Sequence, residues 1–146
     1  MLEKKNLQIV NGYFKEILIN RNLKAIDKYF ALDLSFNGKV MTNQQFVKFL
    51  KNFYLKPFPD FYLSIEDQIV VEDKVVTRVY LQGTHKGEFE GIPPTNKEVK
   101  VLGITIDCIV DGKVKEMWHE ADIWGLLKEL GVRISLTDEI KKSDRE

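Results

Sequence analysis

Leu7, Val10, Phe14, Ile17 and Leu18 recur three and four residues apart. That spacing is the apolar stripe of an amphipathic helix and predicts one over about residues 5–20. Asn20-Arg21-Asn22 interrupts the stripe, after which Leu23, Ile26, Tyr29 and Phe30 predict a short second helix near 22–31. Thr42 stands three residues before Gln45, the spacing of a reciprocal capping box. It opens a third helix over 42–55, with Phe46, Phe49, Leu50 and Phe53 on the buried side and Pro57 and Pro59 beyond its end.

From residue 61 the period changes from 3.6 to 2. Residues 61–71 and Val75–Thr84 read as two strands around Glu72-Asp73-Lys74, and Val99–Val110 and Val114–Ala121 as two more. The last pair meets at Asp111-Gly112, a strong hairpin signal. Gly91-Ile92-Pro93-Pro94-Thr95-Asn96-Lys97 is a stiff loop, because its prolines fix φ and remove donors. A final helix over about 123–130 ends at Gly131. Helices, then an antiparallel meander, then a helix make an α+β domain whose curved antiparallel sheet packs on the N-terminal helices.

The register of the last hairpin decides which residues share a face. A two-residue turn would set Thr105 opposite Trp118, and a three-residue turn with a bulge would set Ile104 there. The second gathers Leu102, Ile104, Ile106, Cys108, Val114 and Trp118 on one side and sends Thr105, Asp107, Lys115 and His119 to the other. That cleaner segregation favours the bulged turn, with the apolar set facing inward. Glu116, Glu120 and Asp122 then also point inward. Acids aimed at a core are costly unless paired, so an internal pocket is expected behind the sheet.

Composition narrows the class. The 146 residues are 44% hydrophobic and 30% charged, as in an ordinary globular chain. The expected layout is one domain over 1–136 with a charged tail at 137–146. Twenty-two basic side chains balance twenty-two acidic ones, against the basic surplus of a nucleic-acid binder. No run approaches a membrane span and no apolar leader opens the chain, so a cytoplasmic protein is expected. One cysteine allows no internal disulfide and no zinc cluster. No glycine-rich nucleotide loop and no G-x-S-x-G elbow is present. Neither a cofactor nor a metal is expected.

Asp122 is the leading candidate for chemistry. It follows the last strand beside Trp118 and Glu120, where burial and a like charge would raise its pKa toward that of a general base. It also stands at the N-cap of the last helix, and the two roles can coexist. His85 continues the parity of Val75, Val79 and Leu81, so it is a second candidate at the pocket, with a plain turn histidine as the alternative. His119 reads as a solvated residue of the outer face. Arg78 lies opposite the inward set, on a strand surface suited to an anion or a subunit contact. Cys108 reads as apolar packing.

Phe58-Pro59-Asp60, Gly83-Thr84-His85-x-Gly87-Glu88-Phe89-x-Gly91-Ile92-Pro93-Pro94-Thr95, Asp111-Gly112-Lys113 and Trp118-x-x-x-Asp122-x-x-Gly125-Leu126-Leu127 together resemble the SnoaL-like polyketide cyclases. The resemblance spans about residues 5–131 and implies the cone-shaped α+β barrel of the nuclear transport factor two-like superfamily. It implies that Asp122 is the acid/base of a cofactor-independent aldol ring closure on a small hydrophobic carbonyl compound. Trp118, Glu120, Ile104, Ile106 and Cys108 would then line the substrate pocket. It also implies a homodimer, formed through an outer sheet face carrying Arg78, Tyr80, Gln82, Thr105 and His119. A non-catalytic ligand-binding or dimerisation module on the same fold is the alternative.

Overall fold

The computed structural model describes residues 1–133; most of the expected domain lies within them, and the tail at 137–146 lies outside. Helix α1 spans Leu2–Tyr13 and continues as a wider π turn over Phe14–Ile19. A 3₁₀ turn, Leu23–Ala25, leads into α2, Ile26–Tyr29. Helix α3, Asn43–Leu50, opens on the expected capping box and also runs into a π turn, Lys51–Leu55. Strands β1 (Phe30–Phe36) and β2 (Lys39–Met41) lie between α2 and α3. The long strands are β3 (Tyr62–Val71), β4 (Lys74–Thr84), β5 (Glu98–Val110) and β6 (Lys113–Ala121), followed by α4 (Ile123–Glu129).

The sheet order is β2-β1-β6-β5-β4-β3. All pairs are antiparallel except β1 with β6, which run parallel. The fold class is therefore as expected, with one departure from an all-antiparallel sheet. Its source is the segment after Tyr29, where Phe30 turns extended and Phe30, Leu34 and Phe36 bury their rings and side chain as a strand. Helical spacing up to Phe30 hid that change of period.

The last hairpin differs from the expected one. Asp111 and Gly112 both adopt left-handed φ, 51° and 78°, and form a two-residue turn that pairs Val110 with Lys113. Such a turn matches the twist of the strands it joins. The bulge falls later, at Lys115, so that Ile109 faces Val114 but Cys108 faces Glu116. Trp118 therefore pairs with Ile106 and His119 with Thr105. The extra residue reverses parity within β6: Val114 points inward, and so do Met117 and His119.

This corrects the inward face. On β5 burial alternates strictly, with Val99, Val101, Gly103, Thr105, Asp107 and Ile109 inside. Leu102, Ile104 and Ile106 are 43%, 47% and 37% exposed, and Trp118 is 46% exposed, all on the convex side. The concave side is filled by the helices and by β1: Tyr13 of α1, Phe30 and Phe36 of β1, and Phe46 and Phe49 of α3 form a chain of ring contacts 4.8–5.5 Å between centroids.

Candidate active site

The concave face is crossed by one polar row. Register sets Gln68 on β3 opposite Thr77, Thr77 opposite Thr105, and Thr105 opposite His119. At the β3 end, Gln68 Nε2 donates to Asn11 Oδ1 at 2.8 Å and to Thr77 Oγ1 at 3.2 Å. At the β6 end, Thr105 Oγ1 lies 3.2 Å from His119 Nδ1, and the Tyr54 hydroxyl lies 2.6 Å from Nε2.

Each member is held by a definite piece of local structure. Tyr54 comes from the π turn that ends the third helix, a distortion often found where a helix serves a site. His119 is pinned through its backbone, because its N–H donates to Asn37 Oδ1 at 2.8 Å and its carbonyl accepts from Asn37 Nδ2 at 3.1 Å. Asn37 makes both bonds from a left-handed turn, φ 50°, between β1 and β2.

Tyr54, Thr105 and His119 line a cavity of about 40 Å³ whose other walls include Phe14, Ile17, Phe30, Phe46, Phe61, Leu81 and Met117. The space is no larger than a few water molecules, and a larger guest must displace partly exposed wall residues such as Leu18 and Phe49. A second apolar cavity of about 20 Å³ shares Tyr54, Phe61 and Leu81 with the first and extends to Ala121 and Ile123.

Burial governs the charges. It pulls His119 down to about 4, so the imidazole is neutral at physiological pH. It pushes the Tyr54 phenol well above its ordinary range. It also pushes Asp107, beneath Tyr13 on the same face, up to about 8, against the smaller opposite pull of the hydrogen bond from Tyr13. An uncharged imidazole bonded at both nitrogens can accept a proton at one and hold its tautomer through the other.

The residues expected at a pocket are mostly elsewhere. Ile104, Ile106, Trp118 and Glu120 lie on the convex surface, where Trp118 Nε1 donates to Glu116 Oε1 at 2.6 Å. Cys108 shares that side; its Sγ lies 3.2 Å from Asp73 Oδ2, and chiefly burial raises the thiol to about 11. Asp122 is exposed and caps α4, its Oδ1 accepting from Gly125 N at 2.8 Å. A side chain at Gly125 would collide with that carboxylate, at 2.2 Å from Oδ2. His85 is fully buried, but it lines neither apolar cavity. Its Nδ1 lies 3.0 Å from Thr95 Oγ1 and accepts from Thr95 N at 3.2 Å, and its backbone bonds Lys97 and Asn96. It fastens the proline loop to the end of β4. Thr105 and His119, expected outside, are the residues within.

Sequence reasoning missed Tyr54 and Asn37. Tyr54 sits among aromatics that all read as core, and Asn37-Gly38, a common left-handed pair, lies between two segments that read as helix. The alternation Thr105, Asp107 is visible in β5, but sorting by apolar content alone puts it on the outer face.

A six-stranded curved sheet closed by N-terminal helices, with a small apolar cavity and one polar wall, defines a cone-shaped α+β protein built around a small-molecule pocket. The sequence pattern of the SnoaL-like polyketide cyclase family matches residues 8–130, and the chain belongs to that family. Among solved structures, a candidate SnoaL-like polyketide cyclase from Jannaschia sp. CCS1 superposes with a TM-score of 0.82 at 22% identity, over 91% of this chain and 96% of that one. AclR from Streptomyces galilaeus, a candidate hydroxylase, gives 0.77 at 27% identity, over 88% and 97%. IdmH from Streptomyces antibioticus, a candidate polyketide cyclase, gives 0.73 at 24%, over 87% and 99%. No curated protein matches the chain by sequence. No helix among the described residues is long and apolar enough to cross a membrane.

Proposed function

We propose that this protein is a cofactor-independent acid/base enzyme of the cyclase or isomerase type, acting on a small hydrophobic carbonyl compound. The observation that carries this is the Tyr54–His119–Thr105 chain on the wall of an otherwise apolar cavity. With Nδ1–H donating to Thr105, His119 Nε2 is the acceptor. The Tyr54 oxygen takes a proton from the carbon beside the substrate carbonyl as its own proton passes to Nε2. The enolate attacks a second carbonyl of the same molecule and forms the new carbon–carbon bond. The imidazolium then returns its proton through Tyr54 to the new alkoxide, so the ring closes with no net loss or gain of atoms. An imidazole as weakly basic as this one favours C–H groups already acidified by two carbonyls.

Solvent-deuterium exchange into the activated CH₂ of β-keto esters and small diketones, followed by NMR, reads the first step without needing the natural substrate. Wild type should accelerate exchange with at least one compound, and Tyr54→Phe should slow it on the order of 10²-fold or more, as loss of one positioned proton-transfer group does. The small size of the cavity and the capping role of Asp122 favour a second reading, a ligand-binding module without turnover. Saturable binding of these compounds with no exchange in wild type would select it.

The convex face supports a homodimer as the working assembly. Leu102, Ile104, Ile106 and Trp118 expose apolar surface side by side on adjacent strands, where a second copy could cover it. Arg78 and Glu120 flank Ile104 from the two neighbouring strands, so a two-fold contact can pair unlike charges around an apolar centre. Sedimentation at micromolar concentration should give a dimer for wild type and a monomer for Ile104→Glu. A wild-type monomer would remove this assembly.

A further inference from the structure

The two apolar cavities follow one another along the strands. On β6 the inward residues Met117 and His119 line the first, and Ala121 lines the second. On β5 Thr105 lines the first and Val101 and Val99 the second, with inward-facing Gly103 at the level between them. Register sets Gly103 beside Ala121, so a glycine and an alanine stand together where one cavity gives way to the next. Strands β5 and β6 therefore put no bulk between the two spaces. Three side chains divide them, because Tyr54, Phe61 and Leu81 line both.

Of the three, Tyr54 is tied to His119 by its hydroxyl, while Phe61 and Leu81 are held by packing alone. The Phe61 ring lies 5.2 Å from that of Tyr54, between centroids. Leu81 leans over Gly103, where a Cβ would lie 3.2 Å from its Cδ1 and 3.3 Å from Val79 Cγ2. Any larger residue at 103 would press Leu81 toward the rings and narrow the passage. The second cavity has polar side chains only in Tyr54 and Gln82. Water gains few partners there, and a polar guest would lose its own hydrogen bonds. The space suits hydrocarbon.

We propose that the second cavity seats an unbranched apolar arm of the substrate, which passes over Gly103 and Ala121 once Phe61 and Leu81 move aside. This deepens the acid/base reading and rests on it for placing the activated CH₂ of the substrate at Tyr54. From the level of Thr105 to that of Gly103 is two residues of strand, roughly 7 Å. A hydrocarbon chain advances about as far per bond as an extended backbone, so an arm of about six carbons covers that distance and enters the second cavity. A single chain asks the dividing side chains to part by the width of one methylene, whereas a ring system asks for more. The substrate class is therefore a carbonyl compound with a medium-length linear chain.

The test compares the affinities of methyl 3-oxobutanoate and methyl 3-oxodecanoate, which share one head and differ by the methylenes of the arm. Wild type should bind the longer ester on the order of 10²-fold more tightly, below the ceiling of about fourfold per methylene that complete burial sets. Ala121→Leu, which fills the second cavity from β6, should lower the long-to-short affinity ratio about tenfold or more. Gly103→Val should lower it through Leu81, and Phe61→Leu, which thins the divider, should raise it. In wild type, NOEs from the terminal methyl of the longer ester should run to Ile123 and Leu126, a measurement that stands whether or not a variant folds. The proposal is overturned by a wild type that binds the two esters alike, by a ratio unchanged in folded Ala121→Leu, or by NOEs from that methyl only to residues outside the second cavity. Deuterium exchange at the activated CH₂ of the shorter ester is read separately. Exchange in wild type with a ratio unchanged in Ala121→Leu removes the arm site alone; arm-dependent binding with no exchange removes the acid/base step alone.

Discussion

The two faces of the same four long strands invert the usual expectation. On β5 the convex side carries Leu102, Ile104 and Ile106 and stands in solvent, while the concave side carries Thr105 and Asp107 and is buried. Counting apolar residues therefore picks the wrong face. The concave side can carry polar groups because the helices supply its apolar mass, through Tyr13, Phe46 and Phe49, with Phe30 of β1 beside them. A strand inside such a cone needs to contribute less of the core than a strand in a sandwich does.

The comparison is sharpest in turnover. His119→Gln should lower it by a factor on the order of 10² to 10⁴, the usual contribution of one positioned proton-transfer group. Trp118→Leu, its neighbour on the convex side, should leave the chemical step unchanged. Equal losses in steady-state turnover would show that the two faces are not divided in this way.

The next effect is on stability against pH. Folded Asp107 keeps its proton up to about pH 8, whereas in the unfolded chain it ionises near the ordinary 3.8, so its contribution is full at low pH and is lost as pH rises through that window. His119 acts oppositely: the unfolded chain takes up a proton below about 6.5 and the folded one only near 4, so stability rises with pH between those values. The two slopes offset one another up to about 6.5, and above it Asp107 acts alone. Wild type should then lose about 1 kcal/mol between pH 6.5 and 8, because the slope of about 1.4 kcal/mol per unit is halved at both ends of that window. Asp107→Asn should show the rise at lower pH and no fall above it, in urea midpoints taken at constant m. A fall that persists in Asp107→Asn would place its cause elsewhere.

The smallest effect concerns the end of the last strand. Asp122→Ala should cost about 1 kcal/mol through the lost cap, and Asp122→Asn only a fraction of that, with turnover kept in both. Loss of turnover in well-folded Asp122→Asn would bring Asp122 into the chemistry after all.

Much of this fold was legible from local rules. The capping box at Thr42, the turn glycine at 112 and the helix-ending glycine at 131 each announce themselves through backbone geometry. The strands were legible too, because alternation is a local property. Which face of them turns inward is not local, and it depended on one unpaired residue and on helices far away in sequence. Tyr54 reaches His119 across 65 positions, by way of a π turn that no periodicity announces. A carboxylate at the N-cap and a carboxylate at a pocket look alike in sequence until the strand before them is placed.

Lys115 is the residue that β6 carries in excess of its partner, and this makes the strand's length elastic at one point only. Removing it would leave Val114 followed by Glu116 in unbroken alternation, with Met117 and His119 still facing inward, at the loss of an exposed ion pair with Asp33. Removing Met117 or Trp118 would also keep His119 inward, but it would set Glu116 in the buried place of Met117. Across relatives, then, gains and losses of a residue should gather at the turn-proximal end of this strand, where the lineage can change its length without moving the cavity wall.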